Sequence, residues 1–433
     1  MRGSGPIGLV EAWAREASSI AAALGMRPTL IRAKAAFLAS GFLEDVGVVC
    51  QGGRIAGCGS FVEVATKHPV SRVVDLGEMV LLPGLVNAHV HLELTGLRGR
   101  APFSGSFADW LGAVGAYIAR APGGELRRGV AAGAEEALQT GTTVVGDVAL
   151  RCPAYGEMRR RGLGGVSFLE VLGLRRRVAN GLLRWRQWQT LWMRPDGRVR
   201  VGLSPHAPYS TSAEAYRSTL ALAESRKMPV MTHVAETRAE AELMERGTGE
   251  LATLMEERGW LPEGVKWQAP GMSPVECLNE VGFLRKGAML AHVNYPSPGD
   301  LQRIADAGAS VVFCPQSHRH FGHEEYPLLD MLRLGINVAL GTDSLASNES
   351  LSMLAEGQLV RNSFPDVPPL VLLDMVTANG TKALGLGEVA GQIREGYWSD
   401  MIAVPYPPGL PGARGQRILD WVFSEAPAVK RLR

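Results

Sequence analysis

The sequence predicts an α/β protein in which a (β/α)8 TIM barrel is inserted into a small composite β-sandwich domain. Two observations predict the barrel. After Pro83-Gly84, eight apolar, β-branched runs alternate with helix-period segments over roughly 250 to 300 residues, which is the size of such a barrel. Five of the eight runs end in His or Asp. A third observation, short β-rich runs on both sides of this region, predicts the second domain.

The region after residue 84 divides into strands and helices. The predicted strands are Leu85–His91, Thr142–Ala149, Gly165–Leu172, Val199–His206, Pro229–Glu236, Gly287–Val293, Ala309–Gln316 and Ile336–Asp343. The helix-period segments between them include Ala108–Arg120, Ala213–Arg226, Arg238–Arg258, Pro274–Arg285 and Pro298–Ala307. A doubly wound sheet would alternate in the same way, so the count alone leaves both folds open. The polar strand ends favour the barrel.

The flanking segments have a different pattern. In residues 26–82 the β-rich runs are short, and Gly52-Gly53 is typical of a tight turn, which indicates a small antiparallel sheet. From Gly385 onward, β-like pieces that include Ile418–Phe423 indicate strands that rejoin that sheet. We therefore expect an N-terminal extension at residues 1–25, a composite β-domain at 26–83 and 385–433, and the barrel at 84–384.

The composition is that of an ordinary globular protein. Of 433 residues, 46% are apolar and 20% are charged, and 45 Lys and Arg against 43 Asp and Glu leave a net charge of +2. This balance argues against nucleic acid or an anionic membrane as a partner, and no apolar run reaches the ~18 residues of a membrane span. The five cysteines form no CxxC pair, so we expect a reduced, cytoplasmic protein with a small-molecule substrate. The sequence allows a homodimer.

His89-Val90-His91 closes the first predicted strand. Alternate side chains of a strand share a face, so both imidazoles are expected on one side, where they could bind a divalent metal. The pattern alone is weak, because two unrelated polar residues would look the same. Four further strands repeat the feature, since they end at or near His206, His233, His292 and Asp343. Packing could explain each of these singly but not all five at the carboxyl ends, the face where barrel enzymes keep their active sites.

Three histidines with one aspartate would suit Zn²⁺, with Fe²⁺ as the alternative, and would leave a position for water. Such a metal lowers the pKa of its bound water to about 7. Glu236, just beyond its strand, could carry protons without ligating the metal, or it could cap the next helix. The chain has no Lys between Lys67 and Lys227, so it lacks the modified lysine that bridges two metals in some barrel hydrolases. A single metal is therefore expected.

Two basic segments are candidates for substrate binding. His318, Arg319, His320 and His323 follow the seventh predicted strand, where they could contact substrate, ligate metal or remain solvated. Arg175–Arg177 follow the third strand and could attract an anionic group or could begin a solvated helix. The sequence has no GxxxxGK[ST] loop, no GxGxxG between a strand and a helix, and no GxSxG elbow. These absences exclude nucleotide-driven and serine-hydrolase chemistry.

Taken together, the motifs resemble those of the amidohydrolase superfamily, and within it the cytosine-deaminase-like branch of aminohydrolases. The similar segments are Leu82–His91, Ser204–Pro208, His233–Glu236, Ala291-His292, Cys314–Ser317, Leu340–Asp343, Thr377–Gly380 and Gly396–Asp400. The resemblance extends from Met26 to the region of Val404. It implies that His89, His91, His233 and Asp343 hold the metal. It also implies that Glu236, His292 and Asp343 are catalytic and that His206 contacts the substrate ring.

A finer likeness links the chain to the aminodeoxyfutalosine deaminases of menaquinone synthesis. It is carried by His91–Leu94, Trp110, Gly271–Pro274 and Ser317–His323, although the broader family usually has Asn where His318 stands. The resemblance implies hydrolytic deamination of an aminated purine-like ring, with Trp110, Arg319, His320 and His323 as substrate contacts. The cations after the seventh strand, together with Arg175–Arg177 after the third, would suit a substrate carboxylate distant from the ring, and aminodeoxyfutalosine has one.

Several alternatives remain at this point. The same branch contains deaminases of S-adenosylhomocysteine and methylthioadenosine, guanine deaminases and triazine hydrolases. In another class, some relatives are non-catalytic scaffolds on the same barrel. The intact set of polar strand ends argues against a scaffold, which has no reason to keep them.

Overall fold

The computed structural model describes residues 28–68, 70, 72–193, 195–261, 266–409 and 415–432. The predicted extension at residues 1–25 lies outside these ranges. The chain divides into two compact units. One comprises Gly84–Gly391 with Leu419–Pro427, and the other comprises the described residues up to Pro83, those of Gln392–Ile418 and those from Ala428 onward.

The strands fall into two sheets, one in each unit. The strands are β1 (Thr29–Leu38), β2 (Gly41–Gln51), β3 (Arg54–Ser60), β4 (Arg72–Asp75), β5 (Met79–Pro83), β6 (Leu85–Val90), β7 (Thr142–Ala149), β8 (Gly164–Val171), β9 (Val199–Pro205), β10 (Val230–Val234), β11 (Ala288–His292), β12 (Ser310–Phe313), β13 (Asn337–Leu340), β14 (Met401–Pro405) and β15 (Lys430–Leu432). Strands β6 to β13 form the larger sheet.

The larger sheet is a barrel. Its eight strands pair in chain order, and all the pairs are parallel. β7 and β8 are buried along their whole length, as expected where a parallel sheet is covered on both faces. The sheet closes between β13 and β6, because the N–H groups of Thr342 and Asp343 both donate to the His89 carbonyl at 3.1 Å. The predicted (β/α)8 barrel is therefore confirmed, and an open doubly wound sheet is excluded.

Helices connect the strands. They are α1 (Phe61–Lys67), a 3-10 helix at Leu92–Leu97, α2 (Phe107–Arg120), α3 (Gly123–Gln139), α4 (Tyr155–Arg161), α5 (Arg176–Trp192), α6 (Ala213–Ser225), α7 (Arg238–Arg246), α8 (Glu250–Glu257), α9 (Pro274–Glu280), α10 (Asp300–Ala307), α11 (Pro315–His320), α12 (Leu328–Arg333), α13 (Met353–Ser363), α14 (Pro369–Met375), α15 (Ala378–Ala383) and α16 (Gly415–Glu425). No helix in these described ranges has both the length and the apolar composition of a membrane span.

The segment Arg238–Arg258, predicted as one helix, contains two. Thr237 begins α7 by accepting a hydrogen bond from the Glu240 N–H, and the helix ends at Gly247. Gly247 and Gly249 have φ values of 75° and 93°, in the left-handed region that glycine adopts without strain. The two glycines therefore separate α7 from α8.

The smaller unit contains a seven-stranded sheet to which both ends of the chain contribute. β1 pairs with β2 in antiparallel register but with β4 and β5 in parallel register, so the sheet is mixed and the prediction of an antiparallel sheet is wrong. The predicted turn at Gly52-Gly53 is confirmed by φ values of 58° and 74°. β14 joins the sheet through β5, which makes this domain composite, as predicted.

The prediction of a strand at Ile418–Phe423 is wrong, because this segment lies within helix α16. Its buried residues are Ile418, Leu419, Val422 and Phe423, a spacing that suits one face of a helix. A six-residue apolar run does not by itself distinguish a buried strand from a helix. The strand that follows is β15, which pairs with β14 in antiparallel register.

Candidate active site

The residues predicted as metal ligands lie together at the carboxyl ends of the barrel strands. His89 lies in β6 and His91 directly after it, and their ring centroids are 4.9 Å apart. His233, in β10, has its centroid 4.9 Å from that of His89 and 5.3 Å from that of His91. Asp343 follows β13. The strand ends of a parallel barrel converge on one face, which brings these four side chains to one point although 254 positions separate the first from the last.

The spacing of their donor atoms fits a single divalent metal. The Nε2 atoms of His91 and His233 are 3.2 Å apart, and Asp343 Oδ1 lies 3.7 Å from His89 Nε2 and 3.6 Å from His91 Nε2. Tetrahedral ligands bound at about 2.0–2.1 Å would be ~3.4 Å apart. His89 Nε2 is buried and has no hydrogen-bond partner within the described chain. A cation at this point would satisfy it.

In two of these ligands, the side-chain atom that faces away from the metal position makes hydrogen bonds to other groups. His233 Nδ1 lies 2.9 Å from the His206 carbonyl, so it carries the proton and leaves Nε2 with a lone pair. Asp343 Oδ2 accepts hydrogen bonds from Ser317 Oγ at 2.8 Å and from Ser347 Oγ at 2.9 Å. Both serines were missed in the sequence, although Ser317 belongs to the Cys314–Ser317 motif. They direct Asp343 Oδ1 towards the three imidazoles.

Backbone strain accompanies the three acid–base candidates. His292 and Asp343 have φ values of 74° and 56°, and Ala235, next to Glu236, has 49°. Such left-handed backbone costs about 1–3 kcal/mol for a residue other than glycine, and it occurs at functional sites. Hydrogen bonds hold it in place, for example from the Tyr295 N–H to the Ala235 carbonyl at 2.9 Å. The chain therefore turns sharply where each strand ends, and the side chains point into the barrel mouth.

Glu236, His292 and Asp343 have side-chain donor atoms within 4.8 Å of one another. Burial, together with the nearby acids Asp343 and Glu240, raises the pKa of Glu236 well above its usual range. Burial also opposes ionisation of Asp343, but the surrounding histidines hold the pKa of that carboxyl well below its usual range. Burial lowers the pKa of His292 to about 3. A protonated Glu236 thus lies beside an ionised Asp343, the pattern of a paired proton donor and acceptor.

A cavity of about 430 Å³ opens above this centre. Of the polar residues described so far, His91, His233, Glu236, His292 and Asp343 line its base, with His206 beside them. Its outer walls are apolar and aromatic and include Phe107, Trp110, Val114, Ile118 and Trp260. Trp110, a predicted substrate contact, lines this wall, and its indole N–H is buried without a partner among the described residues. The cavity can hold a ligand with a polar reacting ring and a longer apolar part.

Arginine 175 lies at the exposed edge of this cavity. It precedes α5, and its guanidinium donates hydrogen bonds to the main-chain carbonyls of Gly259, at 2.8 Å, and Leu261. Within the described residues, both of these bonds go to neutral groups, so the charge is not neutralised by a carboxylate there. Of the two basic segments found in the sequence, this one contributes a cation to the cavity.

Three other predicted substrate contacts lie outside the lining of this cavity. Arg319 is exposed on α11 and donates to Gln316 Oε1 at 2.5 Å. His320, also exposed, packs edge-on against Phe321, whose ring in turn packs on Trp110. His323 lies between Tyr295 and His318. The structure thus separates Arg319, His320 and His323 from Trp110 and His206, the predicted contacts that line the cavity.

Two buried glutamates on the cavity wall were missed in the sequence. Glu93 accepts hydrogen bonds from the N–H groups of Leu150, Arg151 and Cys152. Glu170, in β8, is 5% exposed, and burial together with Glu93 raises the pKa of its carboxyl to about 8. The signal for Glu170 was the same as for the histidines, a polar residue near the end of an apolar strand.

Comparison with known proteins agrees with the family resemblance found in the sequence. A model of the amidohydrolase family matches residues 80–429. The aminodeoxyfutalosine deaminase of Deinococcus radiodurans is 31% identical over 361 residues, 78% of this chain and 81% of that protein. The 5-methylthioadenosine/S-adenosylhomocysteine deaminase of Pyrococcus furiosus is 30% identical over 354 residues, 78% of each chain. The crystal structure of Helicobacter pylori aminofutalosine deaminase with methylthio-coformycin has a TM-score of 0.81 at 24% identity, over 94% of this chain and 100% of that one.

Proposed function

Because the chain belongs to the amidohydrolase family and is therefore a metal-dependent hydrolase of C–N bonds, we propose that it deaminates the adenine ring of aminodeoxyfutalosine. The observation that carries the proposal is the order of chemical groups in the cavity, from its base to its edge. Acid–base groups lie at its base, apolar and aromatic walls follow, and the cation of Arg175 lies at its edge. Aminodeoxyfutalosine has the same order, since its adenine is joined through ribose to a benzoate carboxylate.

The proposed chemistry exchanges the ring amino group for oxygen. His89, His91, His233 and Asp343 would hold a divalent metal, Zn²⁺ with Fe²⁺ as the alternative, and that metal would supply an activated water at the base of the cavity. Glu236 protonates the ring nitrogen next to the amino-bearing carbon as the new C–O bond forms. Asp343 accepts the proton that the water releases. His292 stabilises the charge that develops at the reacting carbon. The new hydroxyl group gives its remaining proton back to Glu236, which passes it to the departing amino group. The C–N bond breaks, ammonia leaves and the ring keeps a carbonyl group. Asp343 then returns its proton to Glu236, which restores the starting state.

The relatives leave a second substrate class to be tested. Their names divide between aminodeoxyfutalosine and the pair methylthioadenosine and S-adenosylhomocysteine. The apolar wall suits methylthioadenosine equally well, but methylthioadenosine has no anion for Arg175. S-adenosylhomocysteine does have a distant carboxylate, but it also has an ammonium group, which the cation of Arg175 would repel. The edge of the cavity therefore favours aminodeoxyfutalosine, whose distant charged group is a carboxylate alone.

The test is ammonia release from six compounds: aminodeoxyfutalosine, adenosine, methylthioadenosine, S-adenosylhomocysteine, guanine and a triazine. We expect aminodeoxyfutalosine to have the highest kcat/KM, by at least about tenfold, because an Arg–carboxylate contact contributes about 1.5–3 kcal/mol. Arg175→Gln should lower kcat/KM for this substrate by about 10- to 150-fold with little effect on adenosine. Arg175→Lys, which keeps the charge, should keep part of the advantage.

Arg319→Gln is the matched control. Arg319 was the arginine expected from the sequence to bind the carboxylate, but its side chain is exposed on α11 and lies outside the cavity lining. The variant should therefore keep the substrate preference of the wild type. If any of the other five compounds gives the highest kcat/KM, the proposed substrate is wrong, while the family assignment is unaffected.

A further inference from the structure

Glu170 has an unusual environment for a carboxyl group. It lines the cavity, it is buried, and its Oε1 atom has no hydrogen-bond partner among the described residues. The nearest cation does not bond to the carboxyl group. Arg186 is buried beside it, but its guanidinium donates to the main-chain carbonyls of Glu170 and Leu150 and to Gln189 Oε1. An unpaired buried polar group costs about 1–3 kcal/mol, so a ligand that pairs with it would recover this cost.

His206 faces the same space. Its Nδ1 atom lies 2.6 Å from Ser210 Oγ, and we assign the Ser210 hydroxyl hydrogen to the Ala207 carbonyl, 3.2 Å away. Nδ1 of His206 is then the protonated nitrogen, and Nε2 is a hydrogen-bond acceptor. One donor or acceptor atom of each of Glu170, His206 and His233 lies within 4.8 Å of the others. Because burial raises the pKa of Glu170 to about 8, its carboxyl can donate a hydrogen bond as well as accept one. Glu170 and His206 Nε2 therefore offer a donor and an acceptor to one ligand.

The gap between these groups fits a hydroxyl group. An oxygen that makes bonds of ~2.8 Å to two atoms at a tetrahedral angle spans ~4.6 Å between them. A second metal is disfavoured, because His233 Nε2 already belongs to the first donor set and Nδ1 donates to a carbonyl. Without His233 only two ligands remain, fewer than the three or four protein ligands of an ordinary metal site.

We infer that Glu170, with His206 beside it, binds the vicinal hydroxyl groups of a sugar carried by the substrate. The inference rests on the proposed function, which takes the substrate to be an adenine nucleoside. His206 packs against His233, with ring centroids 5.0 Å apart, and Glu170 lies opposite Ser204 in the pairing of β8 with β9. Both residues therefore lie beside the candidate metal ligands, where a nucleoside with its ring at that centre would bring its sugar hydroxyl groups. A free base, or a nucleoside without the hydroxyls, leaves Glu170 unpaired.

The experiment compares adenosine with 2′,3′-dideoxyadenosine by ammonia release. The wild type should prefer the diol in kcat/KM by about 5- to 150-fold, the usual effect of leaving a buried polar group unpaired. Glu170→Gln, which keeps one acceptor, should retain part of this preference, and Glu170→Met should reduce it to within about threefold. Glu280→Gln, an exposed carboxyl on α9, is the matched control and should keep it. Thermal unfolding and bound metal, compared with the wild type, verify that each variant folds.

The two proposals fail in different ways. If ammonia is released but Glu170→Met prefers the diol as strongly as the wild type does, the sugar site is wrong and the proposed function stands. If no adenine nucleoside yields ammonia, the proposed function is wrong. Calorimetric binding of inosine against 2′,3′-dideoxyinosine then decides the sugar site by itself. A preference for inosine that Glu170→Met abolishes supports the site, and an unchanged preference or no binding overturns it.

Discussion

Two carboxyl groups with opposite roles illustrate how surroundings decide the chemistry of a residue. Asp343 is close to three imidazoles and accepts bonds from two serine hydroxyls, all of which stabilise its charged form. Glu236 is equally buried, but the neighbours that affect its ionisation are the acids Asp343 and Glu240. The first group is therefore suited to accept a proton and the second to donate one.

Replacing Glu236 tests the role of the donor. Glu236→Gln keeps the shape of the side chain but removes its proton, so we expect full metal content and a kcat lower by about 10²–10⁴. Metal analysis beside steady-state ammonia release measures both quantities. Loss of the metal from this variant would contradict the proton-transfer role and would make Glu236 a ligand.

Replacing Asp343 should affect two properties together. In Asp343→Asn the amide oxygen can still accept from Ser317 and Ser347, but an NH₂ group then faces the imidazoles and cannot ligate a cation. We expect lower metal content and lower turnover in the same preparation, and added Zn²⁺ should restore only part of the activity. Asp330→Asn, an exposed residue on α12, is the control. Wild-type activity in Asp343→Asn would remove this residue from the site.

At the scale of elements, the first turn of α7 positions the proton donor. The Thr237 side chain accepts from the Glu240 N–H, and Glu240 Oε2 accepts from the Glu236 N–H at 2.8 Å. This reciprocal pair resembles a capping box and fixes the backbone of Glu236 just beyond β10. Glu240 is itself fully buried, and burial raises its pKa to about 8. The helix start therefore adds a pH-dependent contribution to stability.

The sign of this contribution can be tested with Glu240→Gln. The ordinary pKa of a glutamate is 4.5, so between that pH and about 8 the folded protein holds a proton that the unfolded chain has released. Stability is therefore lost as the pH rises through this window, by at most about 1.4 kcal/mol per pH unit for one group. The variant lacks this loss, so its unfolding free energy should fall less steeply than that of the wild type.

Urea unfolding at pH 5.5, 6.5 and 7.5 provides the measurement. The amide introduced by Glu240→Gln is buried, and its burial changes the unfolding free energy by the same amount at every pH. This constant change cancels when the slopes of the two proteins are compared. Glu280→Gln, whose carboxyl is exposed, should follow the wild type. Parallel curves for Glu240→Gln and the wild type would show that Glu240 is ionised in the folded protein.

At the scale of the whole molecule, the candidate metal ligands join the first, fifth and last strands of the barrel. β6 and β13 meet where the sheet closes, and the hydrogen bonds of this closure involve the backbone of His89 and Asp343, two of the ligands. A metal at this point links segments that are far apart in the sequence. It should therefore stabilise the barrel as well as support the reaction.

Removing the metal should lower both activity and stability. A ligand present at ~1,000 times its dissociation constant adds about 4 kcal/mol to the unfolding free energy, so a chelator should shift the urea midpoint downward and Zn²⁺ should restore it. His91→Gln should respond little to the chelator, whereas His318→Gln, which removes a histidine outside the cavity lining, should respond as the wild type does. A protein purified without chelator that holds less than about half an equivalent of Zn or Fe would favour a non-catalytic scaffold.

Local sequence patterns determined the barrel and the centre of the candidate site. All eight predicted barrel strands are present within a few residues of their expected bounds, because a strand buried on both faces has to be an uninterrupted apolar run. The positions of His89, His233 and Asp343 also followed from the pattern. A residue at the carboxyl end of a barrel strand faces the common mouth whatever the loops around it do.

The outer part of the cavity was decided by tertiary structure alone. Arg175 and Arg319 each follow a strand and are equivalent in the sequence, yet of the two only Arg175 lines the cavity. Arg175 lies in extended backbone just before α5, whereas Arg319 lies within α11, and the local pattern does not fix the residue at which each helix begins. Glu170 lies near the end of an apolar strand, as the histidines do, but this signal alone does not separate a ligand-binding acid from a buried structural one. Whether its carboxyl group is left to bind a ligand depends on the hydrogen bonds that its neighbours make with other groups. Two of these neighbours, Arg186 and Glu93, lie in other elements of the fold. Contacts between distant segments are not encoded in local periodicity, so the walls that select a substrate became visible only in the folded chain.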